Sequence, residues 1–208
     1  MELLKEKVRL ASISAEEQGL CKHKTGNFSM ADQENKLFVI SPSGLDKKSL
    51  TNEDFPIITF DGEIESIKEG VHPSREHNLH AMIYKSRPDV SAIVHTHSPF
   101  ATSFAILGKP IKPVTFEATF YGVDTPVTKS ILIPGSNELA EEVAATIMNS
   151  DVCLIRNHGV VVVGKDIEET LLKASYVEAV AKMYYLTLTM QNDDGFADIT
   201  GPDRTQPA

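Results

Sequence analysis

Two histidines one residue apart, His95 and His97, lie in the run Val94-His95-Thr96-His97-Ser98. Side chains alternate between the two faces of a β-strand, so an H-x-H pair projects both imidazoles to one side, near enough to share a metal ion. Zinc and similar borderline cations take imidazole and carboxylate ligands, three or four in number, with a position left for substrate when the site is catalytic. Glu76 upstream, and His158 in Arg156-Asn157-His158-Gly159 downstream, would complete such a set. Taken alone, an H-x-H pair fits two solvent-facing imidazoles equally well. The apolar Ala92-Ile93-Val94 before it points instead to a buried strand that ends at the pair, where sites commonly form. The other histidines singled out, His23, His72, His77 and His80, read as surface or hydrogen-bonded residues rather than ligands.

The elements that must carry these groups are legible from periodicity. Residues 92–97 read as a strand, and residues 152–155 and 160–163 as two more, with His158 at the tip between them. Ser74 reads as the N-cap of a helix that carries Leu79, Ile83 and Tyr84 and stops before Pro88, which places Glu76 in its first turn. Elsewhere, helices are expected over residues 3–20, 100–107 (ended by Gly108), 137–148 and 166–190. Strands are expected over 27–32, 36–41, 57–60, 63–66, 111–114 and 127–133. Asp61-Gly62 predicts a two-residue hairpin turn, and turns are also expected at Ser41-Pro42-Ser43-Gly44 and Asn52-Glu53-Asp54. This order of elements predicts one α/β domain, an antiparallel-rich sheet covered by helices.

Composition narrows the function classes. A chain of 208 residues and 22.8 kDa suits a single core. A formal charge of −9 disfavours a nucleic-acid backbone binder, and no long uncharged apolar run exists to span a membrane. Charges in the first seven residues occupy the place where a signal peptide needs an apolar stretch, so a cytoplasmic location is the default expectation. Cys21 and Cys153 form no C-x-x-C pair and are expected to be buried thiols.

Several motifs in order carry a resemblance. Gly26-Asn27-Phe28-Ser29, Ser41-Pro42-Ser43-Gly44, Pro73-Ser74-Arg75-Glu76, residues 84–89 followed by Ala92 to Ser98, and Asn157-His158-Gly159 together resemble the class II aldolase/adducin family. The resemblance runs from about residue 3 to residue 188. It implies a class II aldolase domain over residues 1–190 with a polar C-terminal tail over 191–208. The implied fold is a three-layer α/β/α arrangement around a largely antiparallel sheet, and the implied assembly a homotetramer with active sites between subunits. It assigns His95, His97, His158 and Glu76 to a divalent metal, Zn2+ or another such as Mn2+ or Co2+, with Glu76 also the proton-transferring group.

The resemblance further implies a sugar phosphate as substrate, with L-fuculose 1-phosphate or a related ketose 1-phosphate the leading expectation. Its phosphate is assigned to Gly26, Asn27, Ser43, Gly44, Ser74 and Arg75, residues of tight turns and a helix start that suit an anion. Arg75 departs from the second serine common in the fuculose-type enzymes. Phe116 stands where they carry a tyrosine, which leaves Glu117 and Tyr121 as the catalytic groups on the aldehyde side. Epimerases of the family carry aspartate at the position of Glu76, so Glu76 points to carbon–carbon cleavage over ribulose-phosphate epimerisation or dehydration. Retention of all four metal-site residues sets the chain apart from adducin-like scaffolds.

Overall fold

The strand expected to carry the histidine pair forms as β5 (Ala92–Thr96), buried along its whole length, with His97 one residue beyond its end. The computed structural model describes residues 1–120 and 125–190. β5 lies between β1 (Asn27–Asp32) and β7 (Gly159–Gly164). Adding β2 (Leu37–Ile40), β3 (Ile57–Thr59), β4 (Ile64–Ser66) and β6 (Val152–Ile155) gives a seven-stranded, wholly antiparallel sheet in the order β4-β3-β2-β1-β5-β7-β6.

Both faces of this sheet are covered, which is why β7 reads as an unbroken valine run rather than an alternating one. Phe28, Val94, Val160 and Val162 pack on one face with residues of α1 (Glu2–Glu17), α3 (Pro99–Leu107) and α6 (Ile167–Met190). Ile93, Val161 and Val163 pack on the other with α2 (His77–Ser86) and α5 (Asn137–Thr146). The three-layer α/β/α expectation is met. His95 shares its parity with Ile93, so its ring projects to the α2 side, and α2 begins beside Glu76.

Two local devices hold the end of β5. Ser98 makes no side-chain cap for α3; instead the Glu178 carboxylate, reaching from α6, accepts the Phe100 and Ala101 N–H groups at 2.9 Å each. A carboxylate on exposed helix N–H groups is a charge-assisted contact that also answers the helix dipole. Across the β6–β7 hairpin, Asn157 takes the left-handed conformation at φ 57°, which asparagine tolerates better than most residues, and turns His158 inward.

Four expectations are corrected. Residues 111–114 and 127–133 are not strands: Pro113 removes a donor inside the first, whose Ile111 N–H goes to the Thr125 hydroxyl, and Pro126 and Pro134 bound the second. The Lys129 and Ser130 N–H groups are taken by the Glu142 carboxylate, leaving a single parallel bridge, Val127 to Leu154. Ser74 does not cap α2; its Oγ accepts the Glu76 N–H, and Glu76 itself is the capping residue. The Asp61-Gly62 hairpin forms, but its connection spans residues 60–63 rather than two residues, with Gly62 at φ 87°. A short helix unforeseen in the sequence, α4 (Phe116–Phe120), follows the first of these non-strand segments. Both cysteines are buried thiols. The expected C-terminal tail, 191–208, lies outside the described residues.

Gly159, at the start of β7, sits against the end of β5. A Cβ placed there would collide with the Thr96 carbonyl oxygen and lie 3.0 Å from His97 Cδ2 and 3.2 Å from His95 Cε1. Gly159→Ala is therefore expected to cost about 1–3 kcal/mol through overpacking and to lower Tm by several degrees in a thermal melt. An unchanged Tm would contradict this account of the packing.

Candidate active site

Three elements meet at one end of the sheet. β5 supplies His95 and His97, the β6–β7 tip supplies His158, and the residue that caps α2 supplies Glu76. The three imidazoles stand edge to face, with ring centroids 4.9–5.0 Å apart. Each offers a ligand nitrogen, and these atoms all lie within 4.8 Å of one another. Glu76 faces them, Oε2 at 3.3 Å from His95 Nε2 and Oε1 at 3.6 Å from His158 Nε2.

The electrostatics favour an ionised Glu76 carboxylate, with His97 and His158 held neutral. Burial raises the Glu76 carboxyl pKa, but His95, His158 and an Asn27 hydrogen bond together outweigh it and hold the group well below the usual carboxylate range. Burial pushes the His97 pKa down to about 3 and the His158 pKa down to about 4, with the neighbouring His95 adding to both shifts. His95 is opposed by burial too, yet the Glu76 carboxylate moves it upward.

The donor set fits a divalent cation. His95 Nδ1 donates to the Val160 carbonyl at 2.9 Å, which leaves Nε2 as the nitrogen that would take a metal ion in place of a proton. His97 Nε2 lies 3.1 Å from that atom. Glu76 Oε1 is buried with no hydrogen-bond partner. Converging ring nitrogens and an orphaned carboxylate oxygen suit a shared positive charge, and three imidazoles with one carboxylate suit zinc or a similar ion.

The residues assigned to phosphate are brought to the same end of the molecule. A bridge between Pro42 and Pro73, with the Ser43 N–H on the His72 carbonyl at 2.9 Å, sets Ser43 and Gly44 beside Ser74 and Arg75. Gly26 has φ 75°, and a Cβ there would strike Cys21 Sγ and lie 2.8 Å from the His95 carbonyl oxygen, so only glycine lets the chain enter β1. Asn27 is buried and gives its Nδ2 to Glu76 Oε2 at 2.8 Å. Arg75 is exposed. Glu117 is exposed on α4 and takes no part in the hydrogen bonds of the cluster, and Tyr121 lies outside the described residues.

Sequence reasoning passed over two buried polar groups here. Lys47, 4% exposed, donates to the Thr25 carbonyl at 2.6 Å and acts electrostatically on His97. His80, read as a surface or hydrogen-bonded residue, is fully buried and hydrogen-bonded to Asn27 and Ser29.

A family model, the class II aldolase and adducin N-terminal domain, matches residues 6–185. The chain belongs to the class II aldolase and adducin family. It is 39% identical over 162 residues to an L-fuculose phosphate aldolase of Methanococcus maripaludis, covering 77% of this chain and 84% of that one. It is 33% identical over 169 residues to a 5-deoxy-D-ribulose 1-phosphate aldolase of Bacillus thuringiensis, covering 81% and 78%. A solved L-fuculose 1-phosphate aldolase superposes with a TM-score of 0.87 at 26% identity, covering 96% of this chain and 91% of that one. Among the described residues no helix is long and apolar enough to cross a membrane.

The depressed histidines predict acid sensitivity of the metal-free protein. His80 is pushed down to about 3 by burial, like His97, and His158 to about 4, whereas their unfolded counterparts take up protons near 6.5. The unfolded state therefore binds more protons below pH 6.5, and stability is full above that value and lost as pH falls toward 4. Each such histidine contributes a slope of up to about 1.4 kcal/mol per pH unit. His95, shifted upward, acts in the opposite sense and only above 6.5. Chemical denaturation between pH 7 and 4.5 should show this slope, reduced in His80→Gln; a flat profile would contradict it.

Proposed function

We propose that this chain is a divalent-metal-dependent aldolase that cleaves a ketose 1-phosphate into dihydroxyacetone phosphate and a short aldehyde. L-Fuculose 1-phosphate is the leading substrate, and 5-deoxy-D-ribulose 1-phosphate a close second given the name of the Bacillus relative. The observation that carries the reading is the buried Glu76 carboxylate, one oxygen of it orphaned, facing three convergent imidazole nitrogens. His95, His97, His158 and Glu76 would hold the ion. The ion would stabilise negative charge developing on the substrate carbonyl oxygen.

Cleavage breaks the bond between C3 and C4 of the ketose. The C4 hydroxyl loses a proton as it becomes the aldehyde, and C3 gains one as the three-carbon fragment leaves. Glu76 is the group that exchanges the C3 proton. Its pKa is held down by His95 and His158, so separating it from them when substrate enters lets it take up and deliver a proton. Ser43, Gly44, Ser74 and Arg75 bind the phosphate, with Gly26 allowing close approach and Asn27 Nδ2 retaining a second N–H beyond the one given to Glu76. Glu117 and Tyr121 are assigned the C4 hydroxyl proton. In this reading the enzyme is a homotetramer working in the cytoplasm, with neighbouring subunits closing each site.

A coupled assay for dihydroxyacetone phosphate across ketose 1-phosphates and 5-phosphates tests the reaction directly. Release from a ketose 1-phosphate is expected. Product without release, an epimer or a dehydrated sugar, would overturn cleavage, and protein that holds no divalent ion and gains no activity when one is supplied would indicate a scaffold. His95→Ala and His158→Ala should lose both bound metal and turnover. Glu76→Gln should keep metal yet lose at least about 100-fold in kcat, the lower range for general acid–base catalysis; a wild-type rate would remove Glu76 from proton transfer. Glu117→Gln should slow the aldehyde-side step, and unchanged kinetics would shift that role away from Glu117.

A further inference from the structure

Behind Glu76 lies a line of buried polar side chains, of which the proposed reaction uses only Asn27. Glu76, His80 and Tyr84 are spaced four apart, so they fall on one stripe of α2 and its cap. Asn27 and Ser29 are two apart on β1 and share the face that α2 covers. The stripes interlock. Asn27 Nδ2 lies 2.8 Å from Glu76 Oε2, and Asn27 Oδ1 lies 2.5 Å from His80 Nε2. His80 Nδ1 lies 2.6 Å from Ser29 Oγ, which in turn lies 2.6 Å from the Tyr84 hydroxyl. Tyr84, Ser29 and His80 are at most 1% exposed, and Asn27 and Glu76 at most 7%.

The direction of every proton in this line follows from one end. An ionised carboxylate accepts only, so Asn27 must turn its amide nitrogen to Glu76 and its oxygen to His80. His80 must then donate from Nε2, which leaves Nδ1 of the neutral ring as an acceptor. Ser29 must donate to Nδ1 and receive in turn from Tyr84. No other assignment satisfies all five groups with a neutral imidazole, the form that suits a fully buried ring whose two nitrogens meet a hydroxyl and an amide and no carboxylate.

We propose that Tyr84, Ser29, His80 and Asn27 form a one-directional hydrogen-bond relay that positions the Glu76 carboxylate against the three histidines. The four are positioning residues, and the catalytic consequence rests on the proton-transfer role given to Glu76 above. Without the His80 donor the Asn27 amide is free to rotate, and its oxygen can then face the carboxylate, which repels it. The relay also gives Glu76 one contact that does not involve the histidine cluster. When substrate draws the carboxylate away from His95 and His158, that contact still sets where it can go.

The relay predicts a tautomer, and this can be read without any activity. In long-range 1H–15N spectra of the full-length protein labelled with 15N-histidine, metal-free and zinc-loaded, His80 should carry its proton on Nε2 and a lone pair on Nδ1 from pH 8 to 5. A proton on Nδ1, or on both nitrogens, would overturn the relay. Two substitutions separate positioning from packing. His80→Leu removes the donor and should lower kcat by about 10–100-fold, as loss of a partner behind a metal ligand typically does, with bound metal retained and KM within about threefold. His80→Gln restores an N–H toward Asn27 and should recover most of kcat. A His80→Leu enzyme with wild-type kcat, or His80→Gln as impaired as His80→Leu, would contradict the proposal. A wild-type protein that cleaves no ketose phosphate would fail the reaction reading alone, and the tautomer would still decide the relay.

Discussion

The structure turns on one buried anion. Taking a carboxylate out of water costs several kcal/mol unless it is paired and hydrogen-bonded, and Glu76 is 7% exposed. Its compensation comes from the Asn27 donor on one oxygen and the edges of His95 and His158 on both. One oxygen still lacks a hydrogen bond. The imidazole nitrogens converge on the same place, with His95 Nε2 and His97 Nε2 3.1 Å apart. A divalent cation would neutralise the carboxylate and take the converging ring nitrogens together.

That demand explains features of the fold distant from the chemistry. The antiparallel sheet puts the β5 end, the start of β1 and the β6–β7 tip side by side, each from a different part of the chain. α2 must begin where β5 ends, so that its capping residue meets the histidines. Gly26 and Gly159 remove side chains where β1 and β7 crowd the His95 and Thr96 carbonyls and the His95 and His97 rings. Glu178 fixes the turn into α3 immediately after His97. The ligands stand at the ends of packed strands and a helix rather than on long loops, as a preorganised site requires.

Much of this was readable in the sequence. The H-x-H pair declared a shared face through strand alternation, and the apolar runs around Asn157-His158-Gly159 declared a hairpin tip. What escaped had physical reasons. Residues 111–114 and 127–133 have β-forming composition, but prolines and the Glu142 carboxylate remove their ladder donors, and the latter contact spans 12 and 13 residues of sequence. Ser74 looked like a cap because its type is right; the cap fell on Glu76, whose burial against the histidines is a tertiary event. His80 and Ser29 looked ordinary because their partners sit on another element, 51 residues apart. The E-x3-H-x3-Y stripe on a helix and the N-x-S stripe on a strand were both visible, but only the packing of α2 on β1 shows that they interlock.

The central claim is that His95, His97, His158 and Glu76 together form one divalent-cation site. X-ray absorption at the metal edge of the zinc-reconstituted full-length protein tests it most directly. The account predicts a shell of nitrogen and oxygen only, with multiple scattering from three imidazoles. A sulfur scatterer, or fewer than three imidazoles about the ion, would contradict it.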